Sequence, residues 1–203
     1  MYLKRIFDNF FCWGPAKRYF INAISSLIVG LILGLILAII YPEALYDFLS
    51  FYHSLKEVNS VPLIQVLVPC DFLTKFSFLL KTNVLYECIV GIFLLGILNL
   101  AYVVLLFKYT LLGILVAMIL IGGHYLVVIL MLFIVMIEGI AFSVAAVAGD
   151  NIGRIWIRSK ELCRTNTLID TIKMSSFMLI IAILILISSS LIELGISYYL
   201  MTI

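Results

Sequence analysis

The chain has 203 residues, of which 65% are hydrophobic and only 12% charged, and its mean hydropathy is +1.26. A soluble domain is roughly 45 to 50% apolar, so this composition excludes a soluble globular protein and indicates one polytopic membrane domain with no separate soluble one. The net charge of +2 is small, no nucleic-acid partner is expected, and the placement of the charges says more than their sum.

The predicted elements are helices throughout: an all-α, polytopic helical bundle of five transmembrane helices. Residues 1–19 carry Lys4, Arg5, Lys17 and Arg18 among aromatic rings, and Gly14-Pro15 breaks the stretch. This reads as an amphipathic interfacial segment, with 20–203 forming the single transmembrane domain. Phe20 to Tyr41 is free of charge and long enough for one crossing of a hydrocarbon core roughly 30 Å thick. It reads as an uncleaved span, because Tyr41-Pro42-Glu43 follows it instead of a small-residue cleavage site. Gly30 and Gly34 form a GxxxG within it, which permits close helix contact. Residues 42–83 mix His53, Pro62, Pro69 and three lysines with large apolar side chains, and read as an extracytoplasmic segment of short surface-lying helices. The second span is expected at 84–107, with Glu87 at its start, Asn99 inside it and Lys108 ending it.

From Thr110 to Ala148 the only charged residue is Glu138, and such a run is too long for one span. The predicted break is Gly122-Gly123-His124, giving a third span at 109–121 and a fourth at 125–149. Asp150, Asn151 and Gly153 supply stop signals, 150–173 is expected as a basic cytoplasmic linker, and 174–200 is the last span, carrying Ser188-Ser189-Ser190 and Glu193. The positive charges set an orientation. With the N-terminus cytoplasmic and the C-terminus outside, ten Lys/Arg fall inside (Lys4, Arg5, Lys17, Arg18, Lys108, Arg154, Arg158, Lys160, Arg164, Lys173) and three outside (Lys56, Lys75, Lys81).

Glu138 is the residue on which the functional reading turns. A carboxylate in hydrocarbon is costly, so it faces a bundle interior or a wet cavity. Ala141, Ala145 and Gly149 follow at steps of four and form a small-residue row beside it, a protein-facing seam. Glu138 and Glu193 read either as a proton or cation relay or as clamps hydrogen-bonded to Asn99 or Ser189. The two acids are expected at different depths. No enzyme chemistry is indicated: His53 and His124 are in no HExxH, and GxSxG and a P-loop are missing. Cys12, Cys70, Cys88 and Cys163 lie far apart without CxxC, so no metal site or cofactor is expected; Cys70 and Cys88 could pair, or remain free thiols.

The series Glu138, Ala141, Ala145, Gly149 resembles the intramembrane Glu, Ala, Ala, Gly ladder of the stage II sporulation protein M family of multi-spanning membrane proteins. Leu191-Ile192-Glu193 followed by Ser197 is similar to that family's closing Ile-Glu segment, and Asn99, with Gly113 after it, to a membrane-helix Asn of the family. The family pattern carries His-Gly just before the Glu, where this chain has Ile134 and Val135. The resemblance implies a divergent, non-enzymatic membrane subunit in which Glu138 is architectural. The leading expectation is therefore a scaffold or assembly subunit of a membrane complex in the cell membrane. Its seams would bind other membrane proteins or a second copy, with membrane lipids around it. The alternative is a transporter or channel-like permease using Glu138 and Glu193 as a proton or cation site.

Overall fold

A computed structural model describes residues 14–43, 47, 72–158 and 165–202. Most of the 1–19 and 42–83 segments, part of the 150–173 linker, and Cys12, Cys70, Cys163 and His53 lie outside the described residues. The described residues are helical, without strands, and hold five helices long and apolar enough to cross a membrane. The chain is therefore a multi-pass membrane protein. Helix α1 spans Gly14–Ile40. Helix α2 begins as an α-helix over Phe72–Leu80, is π-helical over Lys81–Leu94 and closes with an α-helical turn over Leu95–Ile97. Helices α3, α4 and α5 span Ala101–Ile121, Tyr125–Arg158 and Thr165–Thr202.

α1 begins five residues or so before the expected span because Pro15 suits a first helical turn, where its missing N–H costs nothing. The predicted Gly122-Gly123-His124 turn is present: Gly123 takes φ +82 and the His124 N–H closes back on the Ile119 carbonyl at 3.3 Å. The second turn differs from the sequence reading. The chain reverses at Leu98 to Leu100, not beyond Lys108, so the second and third spans are Leu73–Ile97 and Ala101–Ile121 instead of 84–107 and 109–121. Asn99 makes this possible by taking φ 60, a left-handed conformation that Asn tolerates better than most residues. Lys108 accordingly sits inside α3. The stop signals after Gly149 also fail to stop the helix. α4 runs on to Arg158, helped by an Asp150 to Arg154 ion pair at i,i+4 spacing.

The helices are held by backbone approach. Lipid tails are as apolar as leucine, so tight packing of small residues replaces the hydrophobic effect as the force joining membrane helices. A Cβ on Gly30 would land on the Thr110 carbonyl, and one on Gly113 would land on the Leu27 carbonyl, so α1 and α3 meet glycine against backbone from both sides. Gly34 continues that contact against Ile114 and Ala117. α2 and α4 make a second such junction: Gly149 and Gly153 face the Phe93 and Ile97 carbonyls, and Gly96 lies against Gly149. Ala141 and Ala145 are fully buried in the main core with Cys88, Ile92, Leu105, Tyr109, Phe142 and Leu186. The predicted small-residue seams are thus protein-facing, and the protein they face is this chain. Cys88 is a buried free thiol.

Substitution at Gly30 tests this construction. Gly30→Val is expected to cost at least about 1–3 kcal/mol, since it drives a branched side chain into fixed backbone. Gly195→Ala, where no atom lies within 4 Å of the new Cβ, should be neutral or stabilise by up to about 1 kcal/mol. Thermal unfolding in detergent micelles measures both.

Candidate functional site

The π-helical stretch of α2 sets the site. Its buried residues, Asn83, Cys88 and Ile92, recur at steps of five and four, which matches the i→i+5 hydrogen bonding of a wider turn. Asn83 is thereby buried opposite α4 and Glu87, about a third exposed, is turned toward Lys108 of α3, in a segment type often found at functional sites. The Asn83 amide donates to Glu138 Oε1 at 3.1 Å and lies 3.4 Å from the Ser190 hydroxyl oxygen of α5. One Asn side chain so ties three helices together. Glu138 itself is 8% exposed.

Lys108 projects from α3 toward the same place. Its ammonium pairs with the Glu87 carboxylate and sits 3.8 Å from the centroid of the Phe142 ring. A ring face stabilises a desolvated cation, so Lys108 is held from two sides inside the apolar layer. Tyr109, next along α3, is fully buried with its hydroxyl 3.5 Å from the Val135 carbonyl.

Asn83, Glu87, Lys108 and Glu138 border one partly open cavity of about 340 Å³. Asn83, Glu87, Lys108, Glu138 and Glu193 supply its polar wall, and Leu112, Met131, Ile134, Val135 and Ile196 are among its apolar lining. It lies in the half of the bundle nearer the Gly122 to His124 turn. Glu138 is 13 residues into α4, about 20 Å from that end at 1.5 Å per residue, and so well inside the apolar layer. The cavity therefore holds three carboxylates against one ammonium. Lys108 is matched to Glu87, and the Asn83 amide donates to Glu138.

The sequence-predicted residues divide. Glu138 and Glu193 line the same cavity, which runs along α4 from Val127 to Glu138; Glu193 lies three residues from the end of its span and Glu138 thirteen from the start of its own, so the expected difference in depth is compatible with a shared cavity. Ala141, Ala145 and Gly149 carry the helix contact beneath Glu138. Asn99 does not belong to the site. It is exposed in the turn between α2 and α3, and the amide that reaches Glu138 is that of Asn83. Asn83, Glu87 and Lys108 are the residues the sequence reading missed. The available signal was complementary charge: an acid and a base, each standing in an apolar stretch, call for one another. Among the described residues no group of three His, Cys, Asp or Glu side chains is arranged to hold a metal ion.

Comparison with family models, with curated proteins and with solved structures finds no match to this chain.

A double-mutant cycle on Glu87 and Lys108 is expected to show strong coupling. Lys108→Met alone should destabilise by about 2 kcal/mol, and Glu87→Gln added to it should recover most of that loss, because the cost lies in leaving one charge unpaired. Equal and additive losses in denaturant unfolding would show that the pair does not act as a unit.

Proposed function

We propose that the protein is a permease-like membrane protein whose working part is the carboxylate cavity, taking up a proton or a small cation through Glu138 and Glu193. The observation that carries this reading is the convergence of both acids, with Glu87, Lys108 and Asn83, on one partly open cavity between the helices. Ionisable side chains deep in an apolar layer are expensive, and where they line a space together they mark ion pathways and relays. In this reading Glu138 and Glu193 hold the exchangeable charge. Lys108 is a tethered counter-ion, anchored by Glu87 and Phe142. Asn83 fixes the rotamer of Glu138 by donating to its carboxylate. In this reading the N-terminus is cytoplasmic and the C-terminus outside, the orientation that the basic residues of the sequence favour, so that the cavity half of the bundle lies toward the external side of the cell membrane. No catalytic role is assigned.

The scaffold reading keeps one support, the resemblance of the Glu138, Ala141, Ala145, Gly149 series to the stage II sporulation protein M family. Its expectation that the small-residue seams hold other helices is weakened by their use within the chain. On that view the chain is a divergent family member and Glu138 is a structural clamp with a membrane-protein partner or a second copy beside it.

Reconstitution separates the two. In proteoliposomes carrying a pH-sensitive dye, with sodium or potassium gradients imposed, the intact protein is expected to move protons or cations. Glu138→Gln and Glu193→Gln should each lower the flux at least about tenfold, the loss expected for removing a relay group, while the elution volume and helical circular dichroism stay unchanged. Absence of flux in the intact protein under all gradients would overturn the permease reading, and full flux in both variants would remove the two acids from it.

A further inference from the structure

The end of the bundle away from the carboxylate cavity carries a second, smaller one of about 200 Å³, lined by Pro15, Arg18, Tyr19, Tyr102, Asp150 and Arg154. Its position follows from the helix ends. Pro15 opens the first span, Tyr102 is the second residue of the third, and Arg154 is the last but one of the fourth, so three spans begin or end at this level. That is the depth at which the apolar layer gives way to the polar interface.

Arg154 stands at the rim of this cleft, its side chain 65% exposed and tied back to Asp150. Its Nε donates to Asp150 Oδ1 at 2.9 Å and its Nη2 reaches Oδ2 at 2.8 Å, a two-point contact with a carboxylate that is almost wholly buried. The Tyr19 and Tyr102 rings stand 6.4 Å apart, walling one side. A guanidinium has five N–H donors, so the contact with Asp150 orients the fork and leaves the outer donors for another acceptor. Asp150 balances the charge of Arg154, and Arg18 adds a second guanidinium to the same wall. The cleft thus presents one net positive charge, oriented donors and aromatic sides, in a volume suited to a tetrahedral oxyanion.

We propose that this cleft binds a phosphate-ester anion, held by Arg18 and the outward donors of Arg154. The proposal is independent of the carboxylate cavity, since no residue is shared between them. The phosphate ester comes either from a lipid headgroup at the membrane surface or from a soluble molecule, and the test distinguishes the sources.

The experiment is native mass spectrometry of the full chain, delipidated in detergent and titrated with phosphatidylglycerol, with diacylglycerol of the same acyl chains, and with phosphatidylglycerol in competition with glycerol phosphate. Saturable binding of phosphatidylglycerol is expected, with diacylglycerol much weaker. Arg18→Gln, which leaves the Asp150 to Arg154 pair intact, should weaken binding about tenfold or more, in the range of one charge-assisted contact. Arg154→Gln should do the same. Lys17→Gln removes an equal charge from the neighbouring position that does not line the cleft, and should change affinity by less than about twofold. Phosphatidylglycerol that glycerol phosphate fails to displace identifies a lipid headgroup site; ready displacement identifies a site for soluble phosphate esters. Equal binding of diacylglycerol, unaltered binding by Arg18→Gln, or equal losses in Arg18→Gln and Lys17→Gln would each overturn the proposal.

Discussion

The cost of keeping charge in a layer without water shapes the interior of this bundle. An isolated carboxylate or ammonium loses its hydration there, and the penalty is met only by a partner of opposite charge or by directed hydrogen bonds. Glu87 and Lys108 answer it by pairing across α2 and α3, with the Phe142 ring face as a third contact. Glu138 answers it through Asn83, whose position depends on the wider π-helical turns of α2. Away from the cavity, Ser26 and Ser143 solve the smaller problem of a hydroxyl in hydrocarbon by bonding the carbonyl four residues back, of Asn22 and Gly139, whereas the buried Ser175 and Ser189 hydroxyls make no such bond.

Around these polar contacts the frame is built by close approach of main chains. Gly30 and Gly113 allow α1 and α3 to touch along their backbones, and Gly96, Gly149 and Gly153 do so for α2 and α4. Side chains that face lipid are large and aliphatic, such as Ile28, Ile32 and Ile36 on α1 and Leu111 on α3. The division is the one expected of a membrane bundle, in which bulk meets acyl chains and small residues meet helices. It also gives the charged groups fixed walls, so that Lys108 and Glu87 are held at one separation.

Much of this architecture was legible in the residues. Five crossings follow from apolar run lengths, the Gly122-Gly123-His124 turn from two flexible residues beside a polar ring, and the inward aim of Glu138 from the cost of placing it elsewhere. The spacing of Ala141, Ala145 and Gly149 marked the buried face of α4. The turn at Asn99 was not legible, because Leu98 and Leu100 keep the local hydropathy high and a single left-handed residue leaves no trace in an average. That error carried Lys108 to a helix end and hid its pairing with Glu87. Asp150 and Gly153 misled in a similar way. Both are ordinary helix terminators, yet Gly153 is needed for contact with Ile97 and Asp150 is bound to Arg154, so tertiary demands overrode the local signal. The π-helical winding of α2, which positions Asn83, has no sequence signature that propensity or periodicity could detect.

The stretch of α4 between Glu138 and Asp150 is tightly closed. Ala141, Phe142, Ala145, Ala146 and Ala148 have no exposed surface, and Gly149 is pressed against α2. Twelve residues at 1.5 Å each make this a dry septum about 18 Å thick. An unescorted ion crossing it would lose hydration worth on the order of 20 kcal/mol before relaxation of its surroundings. In the conformation seen here the carboxylate cavity is therefore closed toward the Asp150 side, where the glycines of α2 and α4 interlock.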